Sequence, residues 1–105
     1  MEFILTESEF NEDNTAWNGN RFLMGNGYFG IRGTLEEYTK KQMCAVNMAG
    51  IYDKMGNSWR ESVNAPNPLY TYIKVNGKIY ALPDEKPKFH QQELDFRYGI
   101  HCRVT

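Results

Sequence analysis

The stretch Arg21-Phe22-Leu23-Met24-Gly25-Asn26-Gly27-Tyr28-Phe29-Gly30-Ile31-Arg32-Gly33-Thr34-Leu35-Glu36-Glu37 decides the fold class. Apolar residues flank a Gly25-Asn26-Gly27 turn. Asn and Gly tolerate the positive φ that a tight hairpin turn requires. Phe22 and Met24 lie two apart, as do Tyr28 and Gly30, so strand periodicity puts each pair on one face. Gly30 and Gly33 carry no side chain, which lets a backbone or a bulky ring approach closely. Arg32 is the one charge between these two glycines. The local reading is a β-hairpin with a bulge.

Outward from this centre, the sequence keeps to β signals. Phe3, Ile4, Leu5 and Phe10, with acids between them, read as an opening strand. Asn11 to Asn20 is polar and reads as a loop with room for one helical turn after Asn14 or Thr15. Trp17 interrupts that loop and is expected to pack back on the core, a sugar-stacking platform being the other reading. Downstream, Tyr38-Thr39-Lys40-Lys41-Gln42 reads as a solvated connection and Met43 to Tyr52 as a buried strand bent at Gly50. Gly56-Asn57 signals a turn. Val63-Asn64-Ala65-Pro66-Asn67-Pro68 cannot be an interior strand, because its two prolines lack N–H donors. The clearest hairpin is Leu69 to Leu82, where alternating runs flank Asn76-Gly77. Pro83 to Pro87 is a loop. Phe89 to Phe96 and Ile100 to Val104 pair around Tyr98-Gly99.

Composition bounds the function. The 105 residues make one domain at most, or part of one. Lys and Arg total 12 against 13 acids, a balance that points to neither nucleic acid nor an anionic membrane as partner. Aromatics reach 14%, which fits half-buried pleated surfaces. Cys44 and Cys102 form no metal-type cluster, and their usage fits a reducing compartment, with a bond between them left open. No stretch is long and apolar enough to cross a membrane, and the start has neither a basic n-region nor a long apolar core. The cytoplasm is the expected location.

Chemistry within the chain is sparse. Glycoside cleavage needs a carboxylic acid for the leaving oxygen and a second carboxylate, or its substitute, for attack. Glu36 and Glu37 are adjacent; on a strand they point to opposite faces and cannot flank one bond. Glu93 and Asp95 share a face, but such a pair reads as a solvated edge, with Asp95 placed to cap the Tyr98-Gly99 turn. His90 and His101 have the wrong spacing for a short chelating motif. Ser8, Ser58 and Ser62 have no nucleophile-elbow context, and Gly25-Asn26-Gly27 lacks the helix and Lys of a phosphate loop.

Four segments together resemble one family. Leu23 to Gly33 with Glu36-Glu37, Val46-Asn47-Met48-Ala49-Gly50-Ile51-Tyr52-Asp53, Val63-Asn64-Ala65-Pro66-Asn67, and Glu93-Leu94-Asp95-Phe96-Arg97-Tyr98-Gly99 are similar, in that order, to the start of the maltose, kojibiose and trehalose phosphorylases of glycoside hydrolase family 65. Members of that family are much longer. The resemblance implies an all-β fold, antiparallel hairpins forming part of a β-sandwich of the supersandwich, galactose-mutarotase-like type. Residues 1–105 would be the N-terminal portion of that domain.

The resemblance also implies that the catalytic acid and the phosphate site lie on a separate helical (α/α)6 barrel of the same polypeptide. Inorganic phosphate is there a co-substrate that attacks with inversion, no cofactor is needed, and the substrate is an α-linked glucose disaccharide. No catalytic and no metal-binding residue carries over to this chain. Asn26, Arg32, Glu36, Glu37, Trp59, Asn64 and Asn67 remain as candidates for the barrel interface or the rim of the sugar site. Homo-oligomerisation is expected. The competing readings are a free-standing carbohydrate-binding module using Trp17, Trp59 and the Tyr-rich hairpin, and a small self-associating β-protein.

Overall fold

The computed structural model describes residues 3–54, 56–57, 59–82 and 84–105. Ser58, which the sequence reading set aside as a nucleophile, and Pro83, which it put at the start of a loop, lie outside them. Among the described residues, ten short strands pair antiparallel throughout. The first sheet runs β1 (Ile4–Glu7), β9 (Gln91–Asp95), β10 (Ile100–Val104), with β9 in the middle. A second joins β2 (Met24–Gly25), β3 (Phe29–Ile31) and β4 (Val46–Met48). Two hairpins stand alone: β5 (Tyr52–Lys54) with β6 (Arg60–Ser62), and β7 (Ile73–Val75) with β8 (Lys78–Tyr80). One helix, α1 (Thr15–Arg21), follows a 3-10 turn at Glu12–Asn14.

The all-β, antiparallel class is as expected, and its turns follow local chemistry. Asn76 and Gly77 both take positive φ, 49° and 84°, which a two-residue hairpin with the twist of its strands requires. Gly99 (φ 63°) closes β9–β10, where the Asp95 carboxylate accepts the N–H groups of Arg97 (2.8 Å) and Tyr98 (3.3 Å). The central hairpin has no bulge between β2 and β3: Met24 faces Ile31 and Gly25 faces Gly30. Its turn is Gly27-Tyr28, with φ of 89° at Gly27, closed by the Asn26 N–H on the Phe29 carbonyl at 3.1 Å.

Several local expectations are corrected. Asn11 to Asn20 is largely helical, because the Asn11 side chain caps the 3-10 turn by accepting the Asp13 N–H at 2.9 Å and α1 continues from it. Phe22 is therefore the C-cap of α1 and no strand partner of Met24; it is fully buried against the His101 ring, centroids 5.4 Å apart. Trp17 is not an anchor: it projects from α1 and is 64% exposed. Tyr38 is not solvated but buried with Leu35 and Leu82 in the hydrophobic core, with Phe10 packed against them. The Met43–Tyr52 run is not one strand: β4 takes Val46–Met48, the chain bends at Gly50 (φ 86°), and Tyr52 opens the separate, exposed β5. Glu93 and Asp95 lie on a central, half-buried strand and not on a solvated edge. Of the two glycines, Gly33 alone serves close approach: a Cβ there would meet Phe22 at 2.4 Å, whereas nothing lies within 4 Å of one at Gly30. Cys44 and Cys102 are both free thiols, the first buried and the second exposed.

Candidate functional site

The inner face of the first sheet carries a polar assembly that the sequence did not announce. Burial alternates along β9, so Gln92 and Leu94 point inward while their neighbours are half-exposed. Register sets Gln92 opposite Glu7 of β1 and Arg103 of β10, and Leu94 opposite Leu5 and His101. The Glu7 carboxylate accepts hydrogen bonds from the Gln92 and Asn18 side-chain amides. Gln92 therefore turns its carbonyl oxygen to His101 Nε2, 3.2 Å away, and that nitrogen carries the ring proton. His90 Nδ1 lies 3.0 Å from the Thr105 hydroxyl.

Burial pushes the pKa of both histidines down, with Arg103 adding to the effect and the carboxylates Glu7, Glu37 (His90) and Glu36 (His101) opposing it. Tyr38 is pushed up by burial, the Thr15 side chain opposing. A cavity of about 20 Å³, the size of one water, is lined by Glu7, Asn18, Tyr38 and His90 among others. Nothing of this size admits a sugar.

The candidate residues are held in five separate places. Asn26 folds back on its own turn, its side-chain oxygen accepting the N–H groups of Tyr28 (3.0 Å) and Phe29 (2.9 Å). Arg32 reaches from the end of β3 across Gly19 and donates to the carbonyls of Ala16 (2.6 Å) and Met43 (3.0 Å) and to Asn20 Oδ1 (3.2 Å). It thus ties α1 to the loop before β4. Glu36 and Glu37 are not divided between two faces. They sit in a turn, and the Arg103 guanidinium spans both, at 3.2 and 2.8 Å.

Asn64 acts as a substitute strand. Its oxygen accepts the Val46 N–H at 2.8 Å and its amide donates to the Cys44 carbonyl at 3.2 Å, while Ala65 N–H reaches the Val46 carbonyl at 2.7 Å. Asn67 accepts the Leu69 N–H at 3.0 Å. Trp59 is different: it is 79% exposed, at the entry to β6, with its indole N–H on Glu61 Oε1 at 3.1 Å.

No group of three or more His, Cys, Asp or Glu with metal-binding geometry occurs among the described residues. The adjacent carboxylates Glu36 and Glu37 are both engaged by Arg103. The residue that sequence reasoning missed is Arg103; its only signal was a lone charge at an inward position of β10. The Gln92 network had a clearer one, a glutamine in phase with Leu94.

Comparison with known proteins resolves what this scaffold is. The profile of the glycosyl hydrolase family 65 N-terminal domain matches residues 5–105. The chain belongs to glycosyl hydrolase family 65. It is 54% identical over all 105 residues to a nigerose phosphorylase of Lachnoclostridium phytofermentans, covering 14% of that protein. It is 33% identical over 85 residues to a 1,2-alpha-glucosylglycerol phosphorylase of Bacillus selenitireducens, 81% of this chain and 11% of that one. Against a kojibiose phosphorylase of Thermoanaerobacter brockii the figures are 31% over 102 residues, 97% and 13%. This family 65 chain therefore spans about one-seventh of the length of the curated relatives it matches. The relatives are phosphorylases, as the resemblance implied, and the antiparallel strands are those of the family's N-terminal β-domain.

Proposed function

We propose that this chain is the non-catalytic N-terminal β-domain of an inverting phosphorylase acting on α-linked glucose disaccharides, of the nigerose, kojibiose, maltose or trehalose type. The observation that carries the reading is the match to the nigerose phosphorylase along the whole chain, set beside a scaffold whose polar groups are turned on itself. Glu36 and Glu37 neutralise Arg103, so neither is poised as a general acid. The acid and the phosphate site then belong to a barrel elsewhere in the polypeptide, which this domain supports, together with oligomerisation. Location in the cytoplasm and independence of nucleic acid, membrane and cofactor complete the proposal.

The test is made on the full-length polypeptide. It is expected to release glucose 1-phosphate from nigerose or a sister disaccharide only when inorganic phosphate is present. Phosphate-independent release of glucose would replace the reading with a hydrolase. The 105-residue chain alone is expected to release neither product above a buffer control.

A further inference from the structure

The hydrophobic core turns polar at the tip of Tyr38. The ring packs with Leu35 and Leu82, and the residue is 2% exposed. Tyr38 also lines the cavity of about 20 Å³, together with Glu7, Thr15, Asn18, His90 and Gln92. The Thr15 side chain acts on the Tyr38 hydroxyl, which puts the phenol oxygen on the cavity side of the ring. Yet no group among the described residues meets that buried oxygen with hydrogen-bond geometry. A buried hydroxyl left without a partner is costly, and native interiors supply one from protein or from ordered water. The same cavity wall has acceptor capacity to spare. The Glu7 carboxylate takes the Asn18 amide on one oxygen and the Gln92 amide on the other, and each oxygen keeps a second lone pair.

We propose that this cavity is a hydration site for one structural water, which accepts the Tyr38 O–H and donates to the Glu7 carboxylate, with the Thr15 hydroxyl as a third partner. A buried water needs roughly 10–15 Å³ of such space and two to four polar partners, and both conditions are met. A metal cation fits less well. It cannot accept the Tyr38 proton, and no group of three or more His, Cys, Asp or Glu is placed to hold one among the described residues. A side chain reaching in from elsewhere in the polypeptide is larger than the space. The water is a tie as well as a filler: it joins β1 through Glu7, α1 through Thr15 and the core through Tyr38, beside the direct bond from Asn18 to Glu7. The site does not depend on which reaction the full-length polypeptide catalyses.

The experiment is a high-resolution crystal structure of the full-length polypeptide, with thermal melts of wild type and of Tyr38→Phe. Wild type is expected to show one ordered water about 2.5–3.0 Å from Tyr38 Oη and within hydrogen-bond reach of the Glu7 carboxylate. Tyr38→Phe keeps the ring and removes the hydroxyl. With the water in place the variant loses a bridged hydrogen bond, and its melting temperature is expected to fall by about 2–4 °C. A dry cavity gives the opposite sign, because phenylalanine then removes an unpaired polar atom and the melting temperature rises. A melting temperature that is unchanged or raised overturns the site. So does a wild-type cavity that is dry, that holds a metal ion, or in which Tyr38 Oη meets a protein group from beyond these 105 residues. If Tyr38→Phe does not fold, the wild-type density decides by itself.

Discussion

At the scale of single residues, space and charge decide more than residue type. Gly33 and Gly30 look alike in the sequence, yet only Gly33 has Phe22 backbone and Cβ within 2.4 Å of where a methyl would sit. Gly33→Ala must push the fully buried Phe22 out of place and is expected to cost about 3 kcal/mol. Gly30→Ala is expected to stay within about 0.5 kcal/mol. Urea titrations of the two variants in the full-length protein check the contrast, and equal midpoints would dismiss the close approach. The buried histidines set a pH dependence. Burial lowers the folded-state pKa of His90 and His101, so protons bind the unfolded chain more tightly. The stabilisation from keeping them neutral is present above the unfolded value of about 6.5. It fades as pH falls below that value towards the lowered folded pKa. Denaturation midpoints at pH 7.5 and pH 5 are expected to drop on the acid side, with a smaller drop in His90→Gln.

At the scale of elements, the same division separates what the sequence disclosed from what it hid. Asn76-Gly77, Gly56-Asn57 and the Asp95 cap of Gly99 were legible because a turn is a contract among neighbours, written in φ preferences and short side chains. Tyr38 was misread because its polar neighbours Thr39 to Gln42 form a capped 3-10 turn, while its own ring meets Leu82 from far along the chain. The Arg103 clamp on Glu37 joins positions 66 apart, beyond any local pattern. Arg103→Met is expected to cost about 2 kcal/mol, between the 0–1 of surface pairs and the 3–5 of buried ones, because Glu37 is 8% exposed and Glu36 is 38% exposed. Asn64 makes the matching case for backbone. Asn64→Ala would strand the N–H of Val46, itself 1% exposed, for about 1–3 kcal/mol. Asn64→Asp keeps the acceptor for Val46 and loses the donor to Cys44, so it is expected to fall between the two in a denaturant melt.

At the scale of the whole molecule, the chain is more extended than a compact domain of its length. The radius of gyration is 15.6 Å and the extents are 50 × 45 × 22 Å, where a compact domain of this length has a radius of about 13 Å. Its accessible surface is 8192 Å², against about 6,100 Å² for a compact monomer of its mass. The excess is about 2,000 Å² on one chain, whereas a standard interface covers about 800 Å² per partner. The apolar share of that excess is visible by name: Ile73, Val75 and Ile79 on β7–β8, and Ile100 and Val104 on β10, are each about half-exposed or more. β10 also leaves one edge without a strand. One pairwise contact between two copies would cover less than half of this surface. We propose a larger body as the cover, in keeping with a relative about seven times as long. The 105-residue chain in isolation is therefore expected to self-associate beyond a dimer and to bind a hydrophobic dye. The full-length polypeptide is expected to run as one discrete species with little dye bound. Light scattering coupled to size exclusion, with dye fluorescence on the same fractions, decides the matter. A monodisperse monomer of the short chain, with a cooperative melt and no dye signal, would mean that these sheets close a core without further cover.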